Sequence, residues 1–352
     1  CVSGQSDEFS GRLGLIFATI GAAIGTGNIW RFPRMVGANG GGTFLIPWLI
    51  FLFMWSIPLV IAEFAMGKRS RTGTIGTFRI FTGKRFAWMG LWTAWISTAI
   101  GFYYAVVAGW CLKYFQLGIT GGLTGDGVDT VQVWNEFLQA PGQVIFFQFI
   151  VIVLTLAAIS RGAKAIEKVN VLLMTSLMVL LFLTMFMALS MDMNDGTLDG
   201  ALFMFTVDRS MMFDAEIWIN ALSQSAWSAS AGMGMAITYA VYMRKDEDTT
   251  LNAFVMGLAN NSISIIAGLT VLSAIFAVEA DPLATVTGGS SAITFLALPE
   301  VFAQAPGGNV GPFLMMTGFF LALSFAALTS MISTVELCVR NFVDHGYERT
   351  RS

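Results

Sequence analysis

Residues 21 to 33 read GAAIGTGNIWRFP, which sets Gly21, Gly25, Gly27, Asn28 and Arg31 inside a stretch otherwise apolar enough to cross a membrane. Glycines at that density cost a helix roughly 2 to 3 kcal/mol relative to alanine. In hydrocarbon every backbone amide and carbonyl must find a partner within the protein. Irregular backbone at that depth therefore survives only where it lines an enclosed cavity or grips a ligand. The segment is thus both a membrane span and a break in one, and its freed carbonyls suit a cation while its freed amides suit an anion.

The rest of the chain supports a membrane reading. Of its 352 residues, 55% are hydrophobic and only 12% charged. A bilayer core of about 30 Å needs roughly 20 helical residues. Eight such stretches can be marked, at about 12–37, 42–67, 87–117, 142–159, 166–189, 216–243, 250–279 and 310–340. Lys68, Arg69, Arg71, Arg79, Lys84 and Arg85 follow span 2, Arg161, Lys164 and Lys168 follow span 4, and Arg244 and Lys245 follow span 6. The segments 118–141 and 280–309 carry no Lys or Arg. Basic loops stay in the cytoplasm, so the N-terminus and the tail with Arg340, Arg349 and Arg351 are expected inside. The location implied is the cell (inner) membrane of a prokaryote.

Span 6 has a second break, SQSAWSASAGMGMA, where Ser223, Ser225, Ser228, Ser230, Gly232 and Gly234 crowd an apolar helix. Spans 1 and 6 run in opposite directions, so five-helix units starting at each are an inverted repeat of the kind seen in secondary transporters. Residues 12–189 form the first unit and 216–340 the start of the second, within one transmembrane domain over 1–352. Small residues can instead serve close helix packing, which suffices for Gly41, Gly42 and Gly101 but leaves Asn28, Ser228 and Ser230 unexplained. Span 7 adds Asn260, Asn261, Ser262 and Ser264, and span 8 adds Thr329 and Ser330. Glu63 and Glu336 are acids within apolar spans and need partners. Hard oxygen donors without histidine or thiolate suit an alkali cation, and so sodium.

Other chemistries find little support. Cys1, Cys111 and Cys338 have no metal-ligand spacing and no structural disulfide is expected, while the single histidine, His345, lies in the basic tail. No nucleophile-and-base set, phosphate loop or dinucleotide fingerprint is present, so an enzyme is not expected. A net charge of −3 gives no sign of a nucleic-acid partner. The chain starts at Cys1 and shows no ninth apolar stretch, which reads as a fragment whose second repeat is incomplete. The oligomeric state stays open.

GRLGLIFATIGAAIGTGNIWRFPRMVGANGGGTFLIPW, ITYAVYMRKDED and FAALTSMIS together resemble the neurotransmitter:sodium symporter family, over the whole chain. The resemblance implies an all-α integral membrane transporter with broken helices 1 and 6, coupling sodium entry to uptake of a neutral, hydrophobic or aromatic amino acid by alternating access. It implies one sodium at Ala23, Asn28, Ser228 and Asn260, next to the substrate carboxylate. A second would lie at Gly21, Ile24, Ala326, Thr329 and Ser330. The substrate's carboxylate would meet Thr26, Gly27 and Tyr104, and its amine the carbonyls near Trp227 and Ser228 and the Ser230 hydroxyl. Its side chain would lie among Ile100, Trp227, Met233, Ser330 and Thr334.

Departures from the family pattern sharpen these expectations. Gly25 stands where amine carriers have an aspartate, so the substrate is expected to bring its own carboxylate. Trp227 replaces a phenylalanine, and Met233 lies between two glycines, as in members that accept bulky side chains. Ser264 stands where chloride-independent relatives carry an acid, so chloride is expected near Gln224, Ser228 and Ser264, although Trp48 replaces the family's tyrosine ligand. Arg31 matches the outer gate and Asp344 the inner one. Ser6 and Phe9 replace the inner gate's arginine and tryptophan, so closure is expected to draw on Glu63, Tyr242 and Glu336. Span 5 has Ala165 and Thr175 where many members have glycine and proline. A ligand-gated channel or a non-transporting amino-acid sensor built on the same site is the alternative.

Overall fold

Each apolar run folds as a helix, or as a pair of helices, in the computed structural model of the chain, which describes residues 8–124 and 128–349. Span 2 is Gly42–Ser70, span 3 Ala87–Thr120, span 4 Pro141–Ile159, span 5 Ala163–Asp192, span 7 Thr249–Val278 and span 8 Val310–Asp344. Span 1 splits into Arg12–Ala23 and Gly27–Ala38, with a bend of 53° between the halves. Span 6 splits into Ala215–Ser228 and Met235–Ala240. Those halves have 14 and 6 residues; neither approaches the roughly 20 that a crossing needs. Only together do they traverse the bundle.

The breaks have local causes. Ile24 is extended, at φ −78° and ψ 116°, and residues Gly27–Arg31 resume as a π-helical turn, an arrangement that recurs at functional sites. In span 6 the chain turns left-handed three times, at Ser230 (φ 50°), Gly232 (φ 84°) and Gly234 (φ 79°). A serine there is uncommon and marks a conformation held by its surroundings. Two neighbours hold the residues that follow it. Ser97 of span 3 donates to the Met233 carbonyl at 2.7 Å, and Glu63 of span 2 accepts from the Gly234 amide at 3.1 Å.

Spans 7 and 8 form the centre, with 61% of their apolar windows buried, against 22% for span 4 at the rim. The loop basic residues gather at one end of the bundle: Arg71 donates to the Val241 carbonyl, Arg340 to the Arg71 carbonyl and Lys68 to the Glu247 carbonyl. The aspartate-rich segment 190–215 lies at the other, where the Gly42 amide donates to the Thr206 carbonyl. Gly41 and Gly42 admit that loop, since a Cβ at Gly41 would fall 2.1 Å from the Phe203 carbonyl oxygen. The packing reading is correct for this pair.

Segment 280–309, which has no span-length apolar run, is nonetheless structured. It contains helices Pro282–Thr287 and Ile293–Ala303, and buries Val286, Phe295 and Leu298 completely against the bundle. Thr74–Thr82, Thr130–Leu138 and Asp199–Phe205 are further short helices. Pieces of under three turns carry too few periods for an apolar stripe to be read from sequence.

Gly234→Ala is expected to lower stability by about 1 to 2 kcal/mol for the left-handed backbone alone. A Cβ there would also lie 2.4 Å from Thr74 Cγ2. Gly142→Ala, where a Cβ meets nothing within 4 Å, is the control that should leave the thermal midpoint in detergent unchanged.

Candidate substrate and cation site

The two breaks face one another across the centre of the bundle. Ser230 Oγ donates to the Ala22 carbonyl at 3.5 Å, and Asn28 ties three spans together. Its Oδ1 accepts from the Gly25 amide at 3.0 Å, fixing the turn of the break. Its Nδ2 thereby points at four oxygens: Ser228 Oγ at 3.1 Å, Asn260 O at 3.3 Å, Asn260 Oδ1 at 2.8 Å and Ser264 Oγ at 2.8 Å. Asn260 Nδ2 in turn donates to Ser228 Oγ at 2.8 Å. All four of these side chains are buried. The helix of span 7 supplies Asn260 and Ser264 one turn apart, which is why both reach the same point.

Beside this network lies a cavity of about 160 Å³. Every residue expected around the substrate lines it: Ala23, Thr26, Gly27, Ile100, Tyr104, Trp227, Ser228, Ser230, Met233, Ser330 and Thr334. The Thr26 amide donates to the Tyr104 hydroxyl at 2.9 Å. A Cβ on Gly25 would meet Ser330 Oγ at 2.6 Å and Tyr104 Oη at 2.9 Å, so the two hydroxyls claim the space a side chain would fill. Trp227 and Tyr103, 41% and 52% exposed, stand at the open side. Trp30, Tyr103, Val107 and Met235 also line the cavity. Sequence reading missed these, although Tyr103 and Val107 lie one turn from Ile100 and Tyr104 on the span 3 helix.

A second oxygen cluster lies where span 8 crosses the break in span 1. Thr329 Oγ1 and Ser330 Oγ both donate to the Ile24 carbonyl, at 3.3 Å and 3.2 Å. Thr329 also reaches the Ala326 carbonyl at 3.0 Å, and a Cβ on Gly21 would lie 3.5 Å from Thr329 Cβ. All five residues expected there, Gly21, Ile24, Ala326, Thr329 and Ser330, therefore come together. One turn before Ser228, Gln224 is buried and accepts from Arg31 Nη1 through Oε1 at 2.7 Å. That leaves Gln224 Nε2 and the buried Trp48 Nε1 as donors without a hydrogen-bond partner.

The residues expected at the gates fall into separate contacts. Tyr242 donates to Glu336, which is fully buried, and Arg349 holds the same carboxylate with two nitrogens, at 2.7 and 3.0 Å, while donating to the Tyr242 hydroxyl at 2.9 Å. Arg349 was read only as part of a basic tail. Phe9 packs on the Tyr239 and Tyr242 rings at 6.1 and 5.8 Å; Ser6 lies outside the described residues. Asp344 pairs with Arg340 at 2.7 Å and caps the Gly73 amide. Glu63 stands at the break in span 6, where its Oε1 accepts from the Gly234 amide at 3.1 Å.

Comparisons with known proteins agree with this geometry. The sodium:neurotransmitter symporter family model matches residues 6–139 and 132–351. An uncharacterized sodium-dependent transporter of Methanocaldococcus jannaschii is 33% identical over 359 residues, covering 97% of this chain and 70% of the relative. The uncharacterized sodium-dependent transporter YhdH of Bacillus subtilis is 31% identical, covering 98% and 74%. The crystal structure of MhsT in complex with L-phenylalanine superposes with a TM-score of 0.86 at 32% identity, covering 98% of this chain and 76% of that one. Broken spans, oxygen clusters and these likenesses converge: the chain belongs to the sodium:neurotransmitter symporter family, an integral membrane family of sodium-dependent transporters.

Proposed function

We propose that the protein couples inward movement of sodium to uptake of a neutral, medium or large amino acid, with the basic end of the bundle and the N-terminus in the cytoplasm. Residues 12–189 and 216–340 are the two opposed units that rock about the cavity. The observation that carries the reading is the Asn28 network. An amide nitrogen has two protons and cannot serve four acceptors, whereas a cation can, once the Asn28 amide turns to offer its own oxygen. Sodium 1 is assigned to Ala23, Asn28, Ser228 and Asn260, and sodium 2 to Gly21, Ile24, Ala326, Thr329 and Ser330. Both sets are hard oxygen donors, as an alkali cation prefers. One charge moving through 100 mV supplies about 2.3 kcal/mol, so two sodium ions support strong accumulation.

The substrate carboxylate takes the place beside Gly25, meeting the Gly27 amide and the Tyr104 hydroxyl that now accepts from Thr26. Sodium 1 neutralises it from below. The amine meets Ser230 and the carbonyls near Trp227 and Ser228, and Trp227 closes over the bound molecule. The side chain extends toward Ile100, Met233, Ser330 and Thr334. The L-phenylalanine bound to MhsT supports a hydrophobic or aromatic choice. Arg31 with Gln224 on one side, and Tyr242, Glu336 and Arg349 with Arg340 and Asp344 on the other, are assigned as the gates. Chloride is assigned between Gln224, Ser228 and Ser264. The orphaned donor Gln224 Nε2 supports an anion there, because buried donors rarely go unpaired.

Three outcomes are expected from uptake of labelled amino acids by vesicles carrying the protein. Asn28→Ala should raise the sodium concentration for half-maximal uptake by about tenfold or more, the worth of a buried polar group that loses its partners; unchanged sodium dependence would refute the assignment. Gly25→Asp puts a carboxylate where the substrate's should lie, so competition by phenylalanine should vanish while its decarboxylated amine gains; equal competition by both would place the carboxylate elsewhere. Replacing chloride by gluconate should reduce uptake several-fold, and uptake that ignores the exchange would remove the anion from the scheme.

A further inference from the structure

Toward the basic end from the Gly21, Ile24, Thr329 and Ser330 cluster lie two polar side chains that hydrogen bonding leaves unexplained. Asn170 of span 5 is fully buried, and both atoms of its amide lack a hydrogen-bond partner. Tyr239 of span 6 is equally buried, and its hydroxyl also lacks one. Asn170 packs directly on the cluster: a Cβ on Gly21 would lie 3.4 Å from Asn170 Cγ and 3.5 Å from Thr329 Cβ. The Tyr239 hydroxyl faces the same Asn170 side chain, beyond direct hydrogen-bond geometry. Buried polar groups are nearly always bonded, and a polar contact just out of reach is where a bridging water or ion sits.

One turn beyond Tyr239, the Tyr242 hydroxyl rests on Glu336, which Arg349 holds from the chain after span 8. Polar groups thus follow one another from beside Gly21 and Thr329 through Asn170 and Tyr239 to a carboxylate at the basic end. The first steps are neutral, and a stepping position must bind weakly enough to let its ion leave. We propose that Asn170 and Tyr239 form a transit position for the sodium ion passing between the Gly21 to Ser330 site and the cytoplasm. The proposal rests on the sodium reading above and adds two residues to it that lie outside both proposed cation sites.

Binding and release of 22Na+ by the protein in nanodiscs test it. Tyr239→Phe removes only the hydroxyl, and Asn170→Leu replaces the amide at similar size. Each should leave equilibrium 22Na+ affinity within about twofold and slow release on dilution by about fivefold, the factor one lost hydrogen-bonding oxygen commands. Asn170→Asp should tighten 22Na+ binding about tenfold, because a charge replaces a dipole beside the path. Release at the wild-type rate in Tyr239→Phe, or unchanged affinity in Asn170→Asp, overturns the transit position while leaving sodium binding intact. Absence of saturable 22Na+ binding to the unaltered protein overturns the sodium reading itself. Should Asn170→Leu fail to fold, Tyr239→Phe decides the matter alone.

Discussion

A single carboxamide holds the centre of this structure. Through Oδ1, Asn28 accepts from Gly25 and so shapes the break in span 1; through Nδ2 it reaches Ser228 of span 6 and Asn260 and Ser264 of span 7. In hydrocarbon, the unwound backbone of two spans would otherwise carry a penalty of several kcal/mol for each unsatisfied group. The network meets part of that demand with side chains, leaving several oxygens pointed at one place. Structural need and the proposed cation site therefore draw on the same oxygens. What makes the breaks tolerable in a membrane is also what the sodium assignment proposed above draws on.

The other supports are arranged around that centre. Ser97 and Glu63 reach the span 6 break from spans 3 and 2, each satisfying one backbone group that a continuous helix would have satisfied itself. Ile24 is served by Thr329 and Ser330 of span 8. The site is thus built by side chains that reach out to backbone, and its rigid helices set positions that its short unwound segments could not hold alone. Rearranging either break must disturb bonds to several spans at once, which is the property that alternating access requires of a site where ion and substrate act together.

Much of this was legible in the sequence because membrane physics makes exceptions conspicuous. Gly25, Gly27, Asn28, Ser228, Asn260 and Thr329 are each improbable in an apolar span, and the structure brings all six to the cavity or its two oxygen clusters. The illegible parts have equally physical causes. The contact of Glu63 with the span 6 break could not be read because what it bonds is a backbone amide, which carries no residue-type signal. Arg349 lies beyond the helix that carries Glu336, so helical spacing gives no hint of their contact. Asn170 looked unremarkable because a lone asparagine in an apolar span is informative only when its bonding is known.

The departure at the basic end follows from the same reasoning. Glu336 is fully buried, and a buried carboxylate must be paired to be tolerated. With Phe9, an apolar ring, packed against Tyr239 and Tyr242, the described N-terminal residues place no cation on Glu336. Arg349 fills that requirement from the opposite side in the sequence, and its planar fork holds both carboxylate oxygens at once. The demand for a cation is fixed by the acid in span 8, whereas the segment that supplies it is free to change. A buried ion pair of this kind is defined by the charge it must neutralise, so its residues can be found by asking which buried acid needs a partner.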